Sequence, residues 1–377
     1  MGTDDGASAS SGSRRRCRWS RGCWARLLTV LLLACNCTYY IILFVRARSY
    51  DQKLLPPDPF VVAATRQGAH AVLDALVRST SKYVVIDARY GLGNRLRAVA
   101  SAMAVAAATH RRLLVVWVSD AHANCSVRSL FDGPLPFALL EEDLPIAWLP
   151  TADRWVLPDG QDGVGFQAFN YMPGEEGAVK RLWVRIDHSR HLFVRSAYRV
   201  AHERGEWEYT MHKLRALRPL PAVQSRLVAD SSMVGLHVRG VVDAISDYGV
   251  NGTAALATWR SKTAWPVFVE RLRREPRTRR FFLAADSHEA YEGLSRAFPG
   301  QIVRAERPAS ERVAGVRVDL DRGCAGMEQA LVDLLNLARC GQLLGSHYSS
   351  FSEVARYYGR ADWLGNPLPF EAAGLDF

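Results

Sequence analysis

Hydrophobic positions along the chain fall into two regimes. Residues 27–45 form one uncharged apolar run, long enough for a single membrane span. From residue 83 onward the apolar residues instead come in short β-branched runs that alternate with stretches of helical period. Val84, Val85 and Ile86 read as a buried parallel strand. Gly91 and Gly93 follow as a turn whose backbone can take positive φ and let another group approach closely. Leu96, Val99, Ala100, Met103 and Ala107 then recur at helical spacing, and 113–118 reads as a second buried strand. That is a βαβ unit.

The later part of the chain alternates just as regularly. The pattern predicts strand 233–238, helix 264–274, strand 281–285, helix 288–297, strand 301–304, helix 327–342, a strand at 343–345 and a last helix from Ser350. About 300 residues exceed what one core usually organises. We therefore expect an α/β protein of two Rossmann-like halves facing a cleft, 81–225 and 226–377, parted near 219–226. A proline-rich stem over 46–80, with one amphipathic stretch near 69–77, precedes them.

Charge sets the topology. Six arginines within residues 1–26 precede the apolar run, and no small-residue cleavage pattern follows it, so 27–45 reads as an uncleaved signal anchor. The arginines keep the tail in the cytosol and send the remaining chain into the lumen, a type II arrangement. The tail supplies +4 of the net charge of +10, so the rest has no basic excess that would call for nucleic acid. Sequons at Asn124 and Asn251 lie on the lumenal side, whereas Asn36 falls inside the span and stays bare. Of seven cysteines, Cys17, Cys23, Cys35 and Cys37 belong to tail and span, where palmitoylation is an option. Cys125, Cys324 and Cys340 are lumenal, an odd count, so the pairing among them stays open, with a Cys324 to Cys340 bridge as one candidate. No cysteine pair has zinc-ligand spacing and no HExxH occurs, so no metal site is expected.

Candidate chemistry sits where strands end. The Gly91-x-Gly93 turn lacks the third small residue of a dinucleotide fingerprint, because Leu96 stands there. It does display Asn94 and Arg95 on a helix N-terminus that favours anions. In the second half the strands run out into His237-Val238-Arg239, Asp286-Ser287 and Ser346-His347-Tyr348-Ser349-Ser350-Phe351. An arginine fork, a carboxylate and a hydroxyl-rich helix N-terminus are the groups that hold a diphosphate and a purine N–H edge. Each also has a plain structural reading: Ser349 and Ser350 as an N-cap, Asp286 as a cap of the helix from His288, His237 as a satisfied core histidine.

Four segments in this order, GLGNRLRA, VGLHVRG, FFLAADS and DLLNLARCGQLLGSHYSSFSE, resemble those of the inverting GT-B fucosyltransferases, the α1,2, α1,6 and protein O-fucosyltransferases among them, over roughly residues 83–356. The resemblance implies that Arg239 contacts the β-phosphate of GDP and stabilises it as leaving group, a task a permanent cation performs without a metal. It implies that Asp286 holds guanine or ribose, that Ser349, Ser350 and Phe351 hold the phosphates and nearby nucleotide surface, and that His237 lines the pocket. Gly91, Gly93, Asn94 and Arg95 would face the cleft from the first half, where Asn94 helps align acceptor and sugar. The family's HxRxxD spacing departs here by one residue, the acid being Asp243. The general base stays open among Asp243, Asp247 and Asp120.

Trp183, Trp207, Tyr209 and Trp259 are candidates to stack on an acceptor sugar, core packing being the alternative. Residues 188–198 are rich in polar and aromatic side chains with no assigned ligand. The resemblance implies a Golgi type II enzyme, the endoplasmic reticulum being the other compartment, that takes a GDP-sugar donor and a glycan or glycoprotein acceptor and needs no cofactor. Alternatives are a transferase for another GDP-sugar and an inactive lumenal binding protein of the same fold.

Overall fold

The computed structural model describes residues 53–149, 154–156, 165–172, 183–184, 186–202, 213–239, 264–306, 321–346, 349–359 and 369–372. The basic tail, the apolar run 27–45, Asp243, Asp247, Asn251, Trp207, Tyr209 and Trp259 lie outside them. Among the described residues no helix is long and apolar enough to cross a membrane.

The first half is built on a parallel sheet of five strands: β1 (Tyr83–Ala88), β2 (Arg112–Val116), β3 (Ala138–Leu140), β4 (Phe166–Tyr171) and β5 (His191–Ser196), in the order β3-β2-β1-β5-β4. Every residue of β1 is buried, as a central parallel strand requires. Its side chains alternate between two cores. Val84, Ile86 and Ala88 meet the small residues of the long helix between β1 and β2, whereas Tyr83 and Val85 face a second cluster. That second cluster is roofed by α1 (Pro59–Ala64) and α2 (Ala69–Arg78), which bury Val61, Val72, Leu73 and Leu76. Burying each such side chain contributes about 1.5–3 kcal/mol. Residues 59–78 therefore belong to the folded unit, which corrects the expected stem over 46–80. The polar segment 188–198 holds β5, an interior strand of this sheet.

α3 (Leu92–Ala108) connects β1 to β2. Gly91 caps it at φ −67°, so the expected positive φ does not fall on a glycine here. It falls on Tyr90, at φ 66°.

The second half repeats the plan. β6 (Val234–Val238), β7 (Phe281–Ala285), β8 (Ile302–Val303), β9 (Gln342–Gly345) and β10 (Phe370–Ala372) pair in parallel in the order β8-β7-β6-β9-β10. α4 (Trp265–Leu272), α5 (His288–Ala297), α6 (Cys324–Arg339) and α7 (Ser350–Tyr358) complete it. The helix foreseen over 327–342 starts and stops earlier. Asp321 sets the start by accepting from the backbone N–H groups of Gly323 and Gly326.

The halves share an apolar cluster, in which Leu96 and Val99 of α3 sit with Leu331 and Val354 of the second half, and are further joined by covalent and ionic contacts. Cys125 and Cys324 form a disulfide across a sequence separation of 199, and Cys340 remains a buried thiol whose pKa burial pushes up to about 12. Of the pairings left open, the structure takes Cys125 to Cys324 and not the candidate Cys324 to Cys340. Cys340 lies under β6 and β9, whereas Cys324 opens α6 beside the loop after β2, where the Asn124 N–H donates to the Arg322 carbonyl.

Candidate active site

β6 starts the second sheet, β7 lies on one side of it and β9 on the other, so consecutive connections leave in opposite directions between β6 and β9. The crevice outside the carboxyl ends of such a pair is where open α/β sheets bind ligands. Three side chains meet there. His237 is half-buried; its Nδ1 shares a 2.6 Å hydrogen bond with Ser352 Oγ and its ring stacks on Phe351 with centroids 4.9 Å apart. Burial, then the neighbouring Arg239 cation, push its pKa down to about 3, so the imidazole is neutral at physiological pH. Ser346, fully buried, accepts from the Arg239 backbone N–H at 2.9 Å and donates to the His237 carbonyl at 3.3 Å, which fixes the turn that presents Arg239.

Asp286 ends β7, is 8% exposed, and donates its N–H to the Val238 carbonyl. The cap of α5 is Ser287, whose hydroxyl accepts from the Ala290 N–H at 3.2 Å. Asp286 therefore does not serve as the helix cap. Ser349 stands at the N-cap position of α7 yet makes no side-chain cap bond, and its Oγ is buried with no hydrogen-bond partner among the described residues. A buried hydroxyl at a helix N-terminus can donate to an acceptor group such as a phosphate oxygen.

The first half meets this crevice through Gly93. A Cβ added there would lie 2.9 Å from the Phe351 backbone nitrogen and 3.0 Å from both the carbonyl carbon and the Oγ of Ser350. The start of α3 and the start of α7 are packed backbone to backbone, and only glycine permits it. Ion pairs hold the seam. Glu353 in the first turn of α7 binds Arg97 of α3 at 3.0 Å and Arg199 at 2.9 Å, and Arg97 also donates to the Ala197 carbonyl and lies over the Tyr198 ring. Asn94, half-buried on the first turn of α3, sits on the same edge.

No family model matches this chain, and no curated protein matches it. Solved structures do. The α-1,6-fucosyltransferase NodZ soaked with GDP-fucose is 19% identical, with 76% of this chain and 97% of that one covered and a TM-score of 0.46. A mutant of Arabidopsis thaliana FUT1 in complex with GDP is 15% identical, covers 85% of this chain and 78% of its own, and scores 0.44. POFUT1 in complex with GDP is 12% identical, with 79% and 99% covered and a score of 0.46. These structural neighbours are fucosyltransferases.

Two expectations about side chains are corrected. Arg95 does not face the cleft: it is fully buried, donating from Nε to the Tyr90 carbonyl at 2.6 Å and from one terminal nitrogen to Asp120 at 2.6 Å, under the Trp117 ring. Burial pulls its pKa down, against the pull of Asp120. Asp120 in turn is occupied, accepting from Arg95 and from the N–H groups of His122 and Ala123, which argues against its serving as general base. Gly91 has no neighbour within 4 Å of a built Cβ and an ordinary φ, so it contributes nothing comparable to Gly93. Trp183 lies in a two-strand pairing with residues 201–202. Asn124 is exposed beside the disulfide, with its sequon Ser126 hydroxyl donating to Glu141.

Ser352 and Glu353 drew no expectation and Ser346 was named without a role, although all three lie inside the fourth motif. The available signal was the density of hydroxyls after a strand. What the sequence lacked was the partner of each.

Proposed function

We propose that this chain is an inverting GT-B fucosyltransferase that moves fucose from GDP-fucose to a glycan or glycoprotein. In this reading it is held in the Golgi membrane by residues 27–45, with the remaining chain in the lumen. The acceptor hydroxyl attacks C1 of the sugar as the bond from C1 to the β-phosphate oxygen breaks, and the hydroxyl proton passes to a base. GDP leaves with the bonding electron pair. Arg239 and the N-terminus of α7, with Ser349 and Ser350, answer the charge that builds on the diphosphate, so no metal ion is required. Asp286 takes the nucleoside end. The reading rests most on one observation, the packing of Gly93 against Ser350 and Phe351. It brings the first and last of the four family-like motifs together at the carboxyl edge of β6, where the second motif also ends. The Cys125–Cys324 disulfide favours an oxidising compartment.

The decisive experiment is a donor screen of the purified protein against nucleotide sugars, following release of free nucleotide with and without EDTA. The expected result is GDP release from GDP-fucose that survives chelation. Turnover only with another GDP-sugar would move the assignment to that sugar. No GDP-sugar turnover, or loss on chelation restored by Mn²⁺, would sink it.

A further inference from the structure

The first sheet has its own point where connections part, between β1 and β5, since β2 and β3 lie on one side of β1 and β4 on the far side of β5. The residues leaving β1 at that point are Arg89 and Tyr90, and the Arg89 N–H is tied to the carbonyl of Ser196 at the end of β5. Tyr90 is half-exposed and holds φ 66°, a left-handed conformation that is strained for a bulky residue. Its neighbours enforce it. Arg95 Nε grips the Tyr90 carbonyl, Asp120 fixes Arg95, and the same carboxylate fixes the backbone of His122. The product of that framework is an aromatic pair, Tyr90 against His122 with centroids 4.9 Å apart, both rings partly exposed. Glycine would adopt this φ without strain. A tyrosine kept there by a buried arginine implies that the ring is used.

Tyr90 is three residues before Gly93, so its Cα lies within about 11 Å of the seam with α7. That bound keeps Tyr90 at the same end of α3 as the seam with α7. We propose that Tyr90 and His122 form the acceptor subsite, a platform for the apolar C–H face of a pyranose ring in a glycan. This rests on the fucosyltransferase reading and adds to it the residues that choose the acceptor.

Tyr90→Gly tests it, because this variant relieves the backbone while removing the ring. Full-length protein in detergent is assayed with GDP-fucose on an array of oligosaccharides, and acceptor KM, kcat and GDP affinity are measured with the best glycan found. Tyr90→Gly is expected to match or exceed the wild type in thermal stability, to bind GDP as the wild type does, and to raise acceptor KM by about tenfold, the scale of one lost ring contact. His122→Ala should raise it by a smaller factor. An unchanged acceptor KM in Tyr90→Gly overturns the subsite and leaves the donor chemistry standing. A Tyr90→Gly protein that has lost stability or GDP binding makes Tyr90 a structural residue and overturns the subsite too. A wild type that transfers fucose to no glycan on the array, while still cleaving GDP-fucose, also overturns it; failure of the wild type to bind GDP at all is the separate failure of the enzyme assignment.

Discussion

Gly93 is a position where a single methyl group decides two properties. Alanine suits a helix better than glycine by about 1 kcal/mol. Here the added Cβ would stand 2.9–3.0 Å from backbone and hydroxyl atoms of α7, which cannot all withdraw. Overpacking of this kind costs about 1–3 kcal/mol and wins. Gly93→Ala is therefore expected to lower the melting temperature and to weaken GDP binding together, by calorimetry on the same sample; normal GDP affinity in a stable variant would show that the seam does not shape the site. Arg239 makes the opposite kind of test, since the proposed task of its guanidinium is to hold the diphosphate. Arg239→Lys keeps the charge and loses the planar fork. Steady-state turnover with GDP-fucose is expected to fall by about 10²–10³, with thermal stability little changed.

Among elements, β6, β7, α5 and β9 were legible because their apolar residues keep one period from end to end. β4 and β5 were not. They bury Asn170, His191 and Ser196 and carry Arg195, and each of these is accommodated by a partner far away or off the strand: the Met172 N–H for Asn170, the Tyr83 N–H for His191, the Tyr198 backbone for Ser196, Asp87 for Arg195. A polar residue on a buried strand looks like a loop residue until its partner is known. The same blindness turned Arg95 outward, since residue type announced an anion ligand while Asp120 and the Tyr90 carbonyl held it inside. β5 also carries a consequence for pH. His191 Nδ1 accepts from the Tyr83 N–H at 3.1 Å, and burial, then Lys82 and Arg111, push its pKa down to about 4. Unfolded, the imidazole titrates near 6.5, so between those values the unfolded chain binds the extra proton. Stability is complete above about pH 6.5, falls as pH drops toward 4, and levels off below, a loss of roughly 3 kcal/mol from this group. Urea unfolding at pH 7.5 and 4.5 is expected to show that loss, with a smaller difference in His191→Gln, whose amide oxygen can still accept from Tyr83. An equal pH dependence in the two proteins would place the effect elsewhere.

At the scale of the molecule, the described residues hold the two sheets together through a disulfide, the α3–α7 seam and one apolar cluster that includes Val84 and Leu96 of the first half and Leu331, Leu343 and Val354 of the second. The Cys125–Cys324 disulfide closes a loop of 199 residues, and a bridge over a long loop restrains the unfolded chain strongly. Replacing both cysteines by serine is expected to cost about 2–5 kcal/mol, read as a lowered unfolding midpoint under non-reducing conditions. An unchanged midpoint would mean that the ion pairs of Glu353 and the Gly93 contact hold the halves without it. The division into two α/β halves was visible in the alternation of strands and helices, but the seam was not, because Arg97 and Glu353 are 256 residues apart and nothing local in either marks the other. That distance has a consequence for synthesis. α7 ends at Tyr358, so a nascent chain can complete the first sheet and most of the second while Gly93 still faces no partner and the hydroxyls of Ser349 and Ser350 do not yet exist. A stop codon at any point before residue 349 removes α7, and with it the packing partner of Gly93 and one wall of the crevice at the carboxyl ends of β6 and β9, however much of the protein has already folded.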